Sequence, residues 1–141
     1  MPWLVDGSNV LGALPGALHS EEAKRQLMQR LASFARENRT RVTCCFDGVP
    51  PGNFARHLGG ATAMFSGSRA ADDCIAELAA TGRWSVVTSD AALAARVRRR
   101  GVEIIPVREF LRRIEESESG RSAGEPEWER YFSDPKNRLK F

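Results

Sequence analysis

Short apolar runs alternate with segments of helical periodicity along most of this sequence, and this alternation restricts the fold more than any other feature. The apolar runs predict five strands, at residues 3–6, 42–47, 61–66, 84–89 and 102–105. Most of these runs are apolar without alternation, which is typical of strands that are covered on both faces. Helical patterns predict helices at residues 20–38, 71–80, 91–100 and 107–116. Together they predict an α/β fold with a mostly parallel sheet and helices on both faces.

Two stretches do not follow this alternation. Residues 49–60 are rich in glycine and proline, which indicates a surface loop. Residues 117–141 begin with a polar stretch and then contain Trp128, Tyr131 and Phe132. We therefore predict one domain over residues 1–116, followed by a C-terminal tail that is docked on it or partly flexible.

Composition restricts the class of protein further. The chain has 141 residues, which is enough for one domain with a buried core. Its three cysteines cannot form an even disulfide framework, and no segment approaches the length of about 20 apolar residues that a transmembrane helix needs. We expect a cytoplasmic protein without a membrane span. The net charge of +3 favours polyanionic partners without identifying one.

Aspartates lie at the ends of three predicted strands. Asp6 ends the first strand, Asp47 ends the second and Asp90 follows the fourth, while Asp72 and Asp73 begin a helix. The carboxyl ends of parallel strands meet at one edge of a sheet, so these five carboxylates are expected to share one rim. Mutual repulsion makes such a cluster costly unless cations or protons offset it.

Each aspartate also has a purely structural interpretation. Asp72, Asp73 and Asp90 are suited to the first turn of a helix, and Asp6 before Gly7 can begin a turn. The coincidence of three aspartates at three strand ends favours a function. Carboxylates without histidine or cysteine suit Mg²⁺ or Mn²⁺, which can promote hydrolysis of a phosphodiester.

Polar neighbours complete this predicted site. Asn9 is expected to hydrogen-bond Asp6 or a phosphate, and Thr88 and Ser89 to orient Asp90 or, preferably, to cap its helix. The small Gly7 is expected to let a metal ion and a phosphate approach Asp6.

Basic residues follow Asp90 and flank the acidic pair. The candidates for RNA binding are Arg56, Arg69, Arg96, Arg98, Arg99 and Arg100. Arg108, Arg112 and Arg113 extend the same basic region. Arginines of this kind can hold a phosphate backbone, although each is equally compatible with a solvated helix face.

The motifs VDGSN, CFDG, AADDCIAELA and VTSD, in this order, resemble the YacP-like branch of the NYN-domain proteins, which belong to the PIN-like nucleases. The resemblance covers roughly residues 2–116. It implies a PIN-like three-layer α/β/α sandwich with a mostly parallel central sheet and a metal-dependent endoribonuclease activity. Two positions depart from the family pattern, since Ser8 stands where an aromatic residue is frequent and Asp73 where a glutamate is frequent.

The resemblance also implies roles for individual residues. Asp6, Asp72 and Asp90 correspond to catalytic and metal-binding aspartates, Asp47 and Asp73 to supporting metal ligands, and Asn9 to the asparagine of the first motif.

The leading hypothesis is a Mg²⁺- or Mn²⁺-dependent endoribonuclease that leaves a 5′-phosphate and a 3′-hydroxyl. Its expected partners are RNA, either single-stranded or related to messenger or ribosomal RNA, and the ribosome. The competing hypothesis is a non-catalytic RNA-binding module of the same fold. Phosphotransfer through an aspartate is disfavoured because the chain's lysines, Lys24, Lys136 and Lys140, do not lie at a late strand end.

Overall fold

A computed structural model describes residues 2–16, 19–99 and 101–123, with no side chain described from residue 120 onwards. The strands within these ranges are β1 (Trp3–Asp6), β2 (Val42–Phe46), β3 (His57–Leu58), β4 (Ala61–Phe65), β5 (Trp84–Val87) and β6 (Val102–Ile105). The helices are α1 (Gly7–Ala13), α2 (Glu21–Glu37), α3 (Ala71–Ala79), α4 (Ala91–Val97) and α5 (Val107–Ala123). None of these helices combines the length and apolar character that crossing a bilayer requires.

The strands form one sheet in the order β3-β4-β2-β1-β5-β6. Every neighbouring pair is parallel except β3 and β4. The chain builds β2 and β4 on one side of β1 and then returns to place β5 and β6 on the other side. In sheets of this type a ligand crevice forms where the strand order reverses, which here is the carboxyl end of β1 between β2 and β5.

Helices cover both faces of the sheet. On one face α1, α2 and α5 bury Leu31, Phe34 and Phe110 against the strands. The rings of Phe34 and Phe110 contact the Trp3 ring at centroid distances of 5.2 and 5.3 Å. On the other face α3 and α4 bury Ile75 and Leu93 against β1 and β5. The predicted α/β/α sandwich with a mostly parallel sheet is therefore confirmed.

The five predicted strands are present with ends that differ by at most two residues, and the predicted N-cap of α2 is correct, since Ser20 Oγ accepts a hydrogen bond from Ala23 N. Two helix ends differ from the prediction by more than one residue. Helix α4 ends at Val97 rather than at residue 100, because the backbone becomes extended at Arg98. Helix α5 continues seven residues beyond 116. Glu118 in that extension accepts two hydrogen bonds from Arg30 of α2, at 2.9 and 3.1 Å, which ties it to the domain.

Two elements are absent from the sequence-based prediction. Helix α1 begins directly after β1, at a position where Asp6 and Gly7 are equally compatible with a turn. The two-residue strand β3 lies inside the predicted loop of residues 49–60. Residues 128, 131 and 132, whose docking is part of the prediction for the tail, lie outside the described residues.

Candidate active site

Asp6 lies at the centre of the carboxyl edge and is only 5 % exposed. Its Oδ1 accepts a hydrogen bond from the Asn9 backbone nitrogen at 3.3 Å, which makes Asp6 the N-cap of α1. Its Oδ2 accepts a hydrogen bond from the Thr88 hydroxyl at 3.1 Å. Burial raises the pKa of Asp6, and the charges of Asp72 and Asp47 raise this pKa further, while the two hydrogen bonds oppose the shift. Asp6 is thus a fixed, partly desolvated carboxylate.

Asp47 follows β2, the strand beside β1, and connects two elements. Its Oδ2 accepts a hydrogen bond from the Ser8 hydroxyl at 2.9 Å, and its Oδ1 accepts one from the Ala71 backbone nitrogen at 2.9 Å. Ala70, the N-cap of α3, has no side chain that can accept such a bond. Asp47 therefore caps α3 from a neighbouring strand and fixes the helix start that carries Asp72.

Asp90 follows β5 on the other side of β1. Its Oδ1 accepts hydrogen bonds from the backbone nitrogens of Ala92 and Leu93 at 2.9 and 3.1 Å, so Asp90 is the N-cap of α4. The Thr88 hydroxyl accepts a hydrogen bond from Asp90 N at 3.1 Å and donates its own to Asp6. Thr88 therefore links two of the predicted catalytic aspartates. The preferred expectation that Thr88 caps the helix of Asp90 is wrong, because Asp90 itself caps α4.

Asp72 and Asp73 are adjacent but differently placed. No hydrogen-bond donor among the described residues contacts the Asp72 carboxylate. Partial burial raises the pKa of Asp72, followed by repulsion from Asp90 and Asp47, and Arg96 partly offsets this rise. Asp73 instead forms an ion pair with Arg96, with Nη1 3.0 Å from Oδ1. Asp72 is thus the available carboxylate of the pair.

The donor chemistry of this cluster suits a hard divalent cation. Five aspartates take part in mutual repulsion, and the pKa of two of them, Asp6 and Asp72, is raised partly for that reason. Within residues 2–16, 19–99 and 101–123, however, no three acidic, histidine or cysteine side chains converge as they must to enclose one ion. Mg²⁺ keeps several waters and is usually held by only one or two carboxylates, so the residues fit such an ion without a closed cage.

Asn9 and Ser89 join the elements around the crevice. Asn9 Oδ1 accepts a hydrogen bond from the Ser89 backbone nitrogen at 2.6 Å, and Ser89 Oγ accepts one from the nitrogen of Val107, the first residue of α5. The expected contact from Asn9 to Asp6 is made by the backbone of Asn9 and not by its side chain. The expectation that Ser89 caps the helix of Asp90 is wrong, because its hydroxyl contacts α5.

Gly7 is required for the close packing of α1 on the sheet. A Cβ at this position would lie 2.7 Å from two atoms of the Phe46 ring and 2.8 Å from the Cys45 carbonyl oxygen. The absence of a side chain lets α1 pack closely on β2. That Gly7 also lets a metal ion and a phosphate approach Asp6 stays a prediction.

Several arginines predicted to bind RNA have partners within the protein. Arg69 pairs with Glu77, and Arg96 pairs with Asp73. Arg99 donates hydrogen bonds to the carbonyl oxygens of Ala79, Ala80 and Gly82, at and just beyond the end of α3. Arg56 and Arg98 are exposed, and Arg100 lies outside the described residues. RNA contacts of these six arginines stay predictions.

A groove of about 570 Å³ lies beside the acidic cluster, between α1, the segment after β5 and α5. Its lining includes Ser8, Asn9, Gly12, Ser89, Arg108 and Leu111. Sequence reasoning missed this groove because it did not predict α1. The available signal was the spacing of Asn9, Gly12 and Ala13, which lie on one face of a helix.

The sequence matches the YacP-like NYN domain family over residues 3–139. The chain belongs to this family. The match extends through the tail, beyond the residues that carry the motifs. Membership indicates a nuclease-type function related to RNA. No curated protein matches the chain.

The solved structures that are similar to this protein include the following two. One is the crystal structure of Rae1 (YacP) from Bacillus subtilis, with a TM-score of 0.73, 26 % identity and coverage of 87 % of this chain and 78 % of that chain. The other is a tryptophan-to-leucine variant of Rae1, with a TM-score of 0.71, 27 % identity and coverage of 86 % and 79 %. The fold is therefore PIN-like, as the sequence resemblance implies.

Proposed function

We propose that this protein is a divalent-metal-dependent endoribonuclease that acts on RNA in the cytoplasm. The observation that carries the proposal is the buried Asp6 at the end of β1, flanked by Asp47 and Asp90 from the two neighbouring strands and coupled to Asp72. Family membership supports the nuclease class. The metal ion, the roles of the five aspartates and the RNA partner belong to the proposal.

Asp6 and Asp72 would hold Mg²⁺ or Mn²⁺, with Asp90 beside them and Asp47 and Asp73 in support. When bound, such an ion supplies activation of water and stabilisation of the charge that develops on a phosphodiester. The residues of the chain provide the rest. Thr88 and Asn9 hold the Asp6 carboxylate in place, and Asp47 fixes the start of α3.

Repulsion among the carboxylates also favours binding of a cation. Burial and neighbouring charges raise the pKa of Asp6 and of Asp72, so both ionised forms are disfavoured in the folded protein. A cation removes this penalty, and among the described residues no lysine or arginine forms an ion pair with Asp6. We expect the affinity of such a site for cations to increase as pH rises through these raised pKa values, because the carboxylates then become ionised.

The first test is cleavage of an end-labelled, mostly unpaired RNA, supplied free and as messenger RNA bound to ribosomes, with Mg²⁺, Mn²⁺ or chelator. Asp72→Asn is the informative variant because Asp72 caps no helix. Glu115→Gln, an exposed carboxylate on α5, is the charge-matched control. We expect cuts that need a divalent ion and leave a 5′-phosphate in wild type and in the control, and a loss of about 100-fold or more in Asp72→Asn.

A second readout does not depend on activity. An ion that binds only the folded protein stabilises it, by about 1.4 kcal/mol at ten times its Kd. Mg²⁺ should therefore raise the melting temperature of wild type and Glu115→Gln, and raise that of Asp72→Asn less. Binding of RNA without cleavage in either metal and on either substrate would replace the nuclease with the non-catalytic RNA-binding module.

A further inference from the structure

The groove beside the acidic cluster is continuous with it. Ser8, which lines the groove, donates its hydroxyl hydrogen to Asp47 at the rim of the cluster. Asn9, the next residue of the lining, belongs to the first turn of α1, the helix that Asp6 caps. A ligand that fills this groove therefore reaches the carboxylates without crossing another element.

Arg108 is an exposed cation at this groove. The acid beside it, Glu109, accepts hydrogen bonds from Arg112 and Arg113 at 2.6 and 3.0 Å. Among the described residues no carboxylate lies within ion-pair distance of Arg108, which distinguishes it from both neighbouring arginines. A free guanidinium is well suited to bidentate binding of a phosphate.

The rest of the lining suits a nucleoside. Ser8, Asn9 and Ser89 contribute hydroxyl, amide and backbone groups on one side, and Leu111 contributes an apolar surface. Gly12 leaves the α1 side open, since a Cβ added there would meet nothing within 4 Å. The volume of about 570 Å³ lies within the range of sites that hold small molecules.

We propose that this groove binds one unpaired nucleotide of an RNA strand, with Arg108 on its phosphate, and directs the strand towards the acidic cluster. RNA as the ligand rests on the proposed nuclease function. The base of a duplex is paired and stacked and cannot enter such a groove, so the site selects unpaired RNA. Arg108 is a binding residue here and touches no reacting atom.

The test is the affinity for a short, fluorescently labelled, unpaired RNA, measured by anisotropy in chelator so that no cleavage occurs. Arg108→Ala removes the cation, and Gly12→Phe fills the groove. Two variants serve as matched controls. Arg41→Ala removes an exposed arginine that precedes β2, at the end of the strand away from the aspartates, and Gly12→Ala adds only a methyl group at the position of the bulky substitution. Circular dichroism and melting temperature establish that each variant is folded.

We expect about tenfold weaker binding for Arg108→Ala, as for loss of one charge-assisted contact. The slope of log K against log salt should also become shallower by about 0.7, the value for one phosphate of a single strand. Gly12→Phe should weaken binding at least as much. Arg41→Ala and Gly12→Ala should stay within about twofold of wild type, because their sites lie outside the groove or leave it open.

The groove proposal is overturned if Arg108→Ala binds as Arg41→Ala does, or if a folded Gly12→Phe binds as Gly12→Ala does. The groove proposal and the proposed nuclease function can fail independently of each other. Metal-dependent cleavage at an unchanged rate in Gly12→Phe would overturn the groove and keep the nuclease. Binding that depends on the groove, with no cleavage in any metal, would keep the groove and overturn the nuclease.

Discussion

Replacing Gly7 by alanine should destabilise the protein, although alanine normally favours a helix. The added Cβ would lie 2.7 Å from the Phe46 ring, whereas carbon atoms in contact are at least about 3.5 Å apart, so something must move by about 0.8 Å. Phe46 cannot yield easily, because it is fully buried and its ring packs against Phe65 at a centroid distance of 5.4 Å. Overpacking of this kind costs about 1–3 kcal/mol, and the gain in helix propensity is at most about 1 kcal/mol.

The expected net loss of about 1–2 kcal/mol corresponds to a melting temperature lower by about 3–8 °C in a domain of this size. Thermal and denaturant unfolding followed by circular dichroism measure it. Gly12→Ala is the matched control in the same helix, where no atom lies within 4 Å of the new Cβ, and it should leave stability unchanged or raise it by up to about 1 kcal/mol. Equal effects of the two substitutions would refute the argument that α1 is held close to β2 through Gly7.

Two further predictions concern the carboxylates. Thr88→Val removes the hydroxyl that donates to Asp6 and accepts from Asp90 N, so it should lower the free energy of unfolding in urea by about 1–3 kcal/mol. Thr88→Ser keeps the hydroxyl and should lower it clearly less. Equal losses of stability in the two variants would contradict the hydrogen-bond role. Asp72→Asn should raise the melting temperature at neutral pH in chelator, because the raised pKa of Asp72 means that its charge destabilises the folded state. This gain should fade as pH falls through the raised pKa and be absent well below the ordinary value of 3.8, where the wild-type group is protonated in both states. A gain that does not change with pH would contradict the electrostatic cause.

The sequence was most informative where a pattern is local. The buried strands show as apolar runs, and the order of strands and helices is enough to predict a parallel sheet with aspartates at one edge. Helix α1 was missed because its first residues, glycine, serine and asparagine, have the composition of a turn. The local signal was nonetheless present, since an aspartate three residues before Asn9 is a typical N-cap.

Interactions between distant parts of the chain could not be predicted in this way. Helix α5 continues through a stretch of serine and glycine with poor helix propensity, and within this stretch Glu118 pairs with Arg30, which lies 88 residues earlier. Likewise the contact from Asn9 to Ser89 spans 80 positions, and it places α1 against the segment after β5. Asn9 and Ser89 both line the groove, so the sequence alone could not predict it before α1 was placed against this segment.

The structural and functional interpretations of the aspartates are not exclusive in this fold. Asp6 and Asp90 cap α1 and α4, and Asp47 caps α3 from a distance, so the bonds that begin three helices also orient three carboxylates. A carboxylate oxygen has two lone pairs, so the capping oxygens of Asp6 and Asp47, which accept one hydrogen bond each, can still accept a further ligand. Asp90 uses only Oδ1 for its cap, and Asp72 caps nothing. Of the three aspartates that the family resemblance identifies as catalytic, Asp72 and Asp90 each keep a carboxylate oxygen that accepts no hydrogen bond from the described residues. Both oxygens of Asp6 accept one, and Asp6 is the most buried of the three.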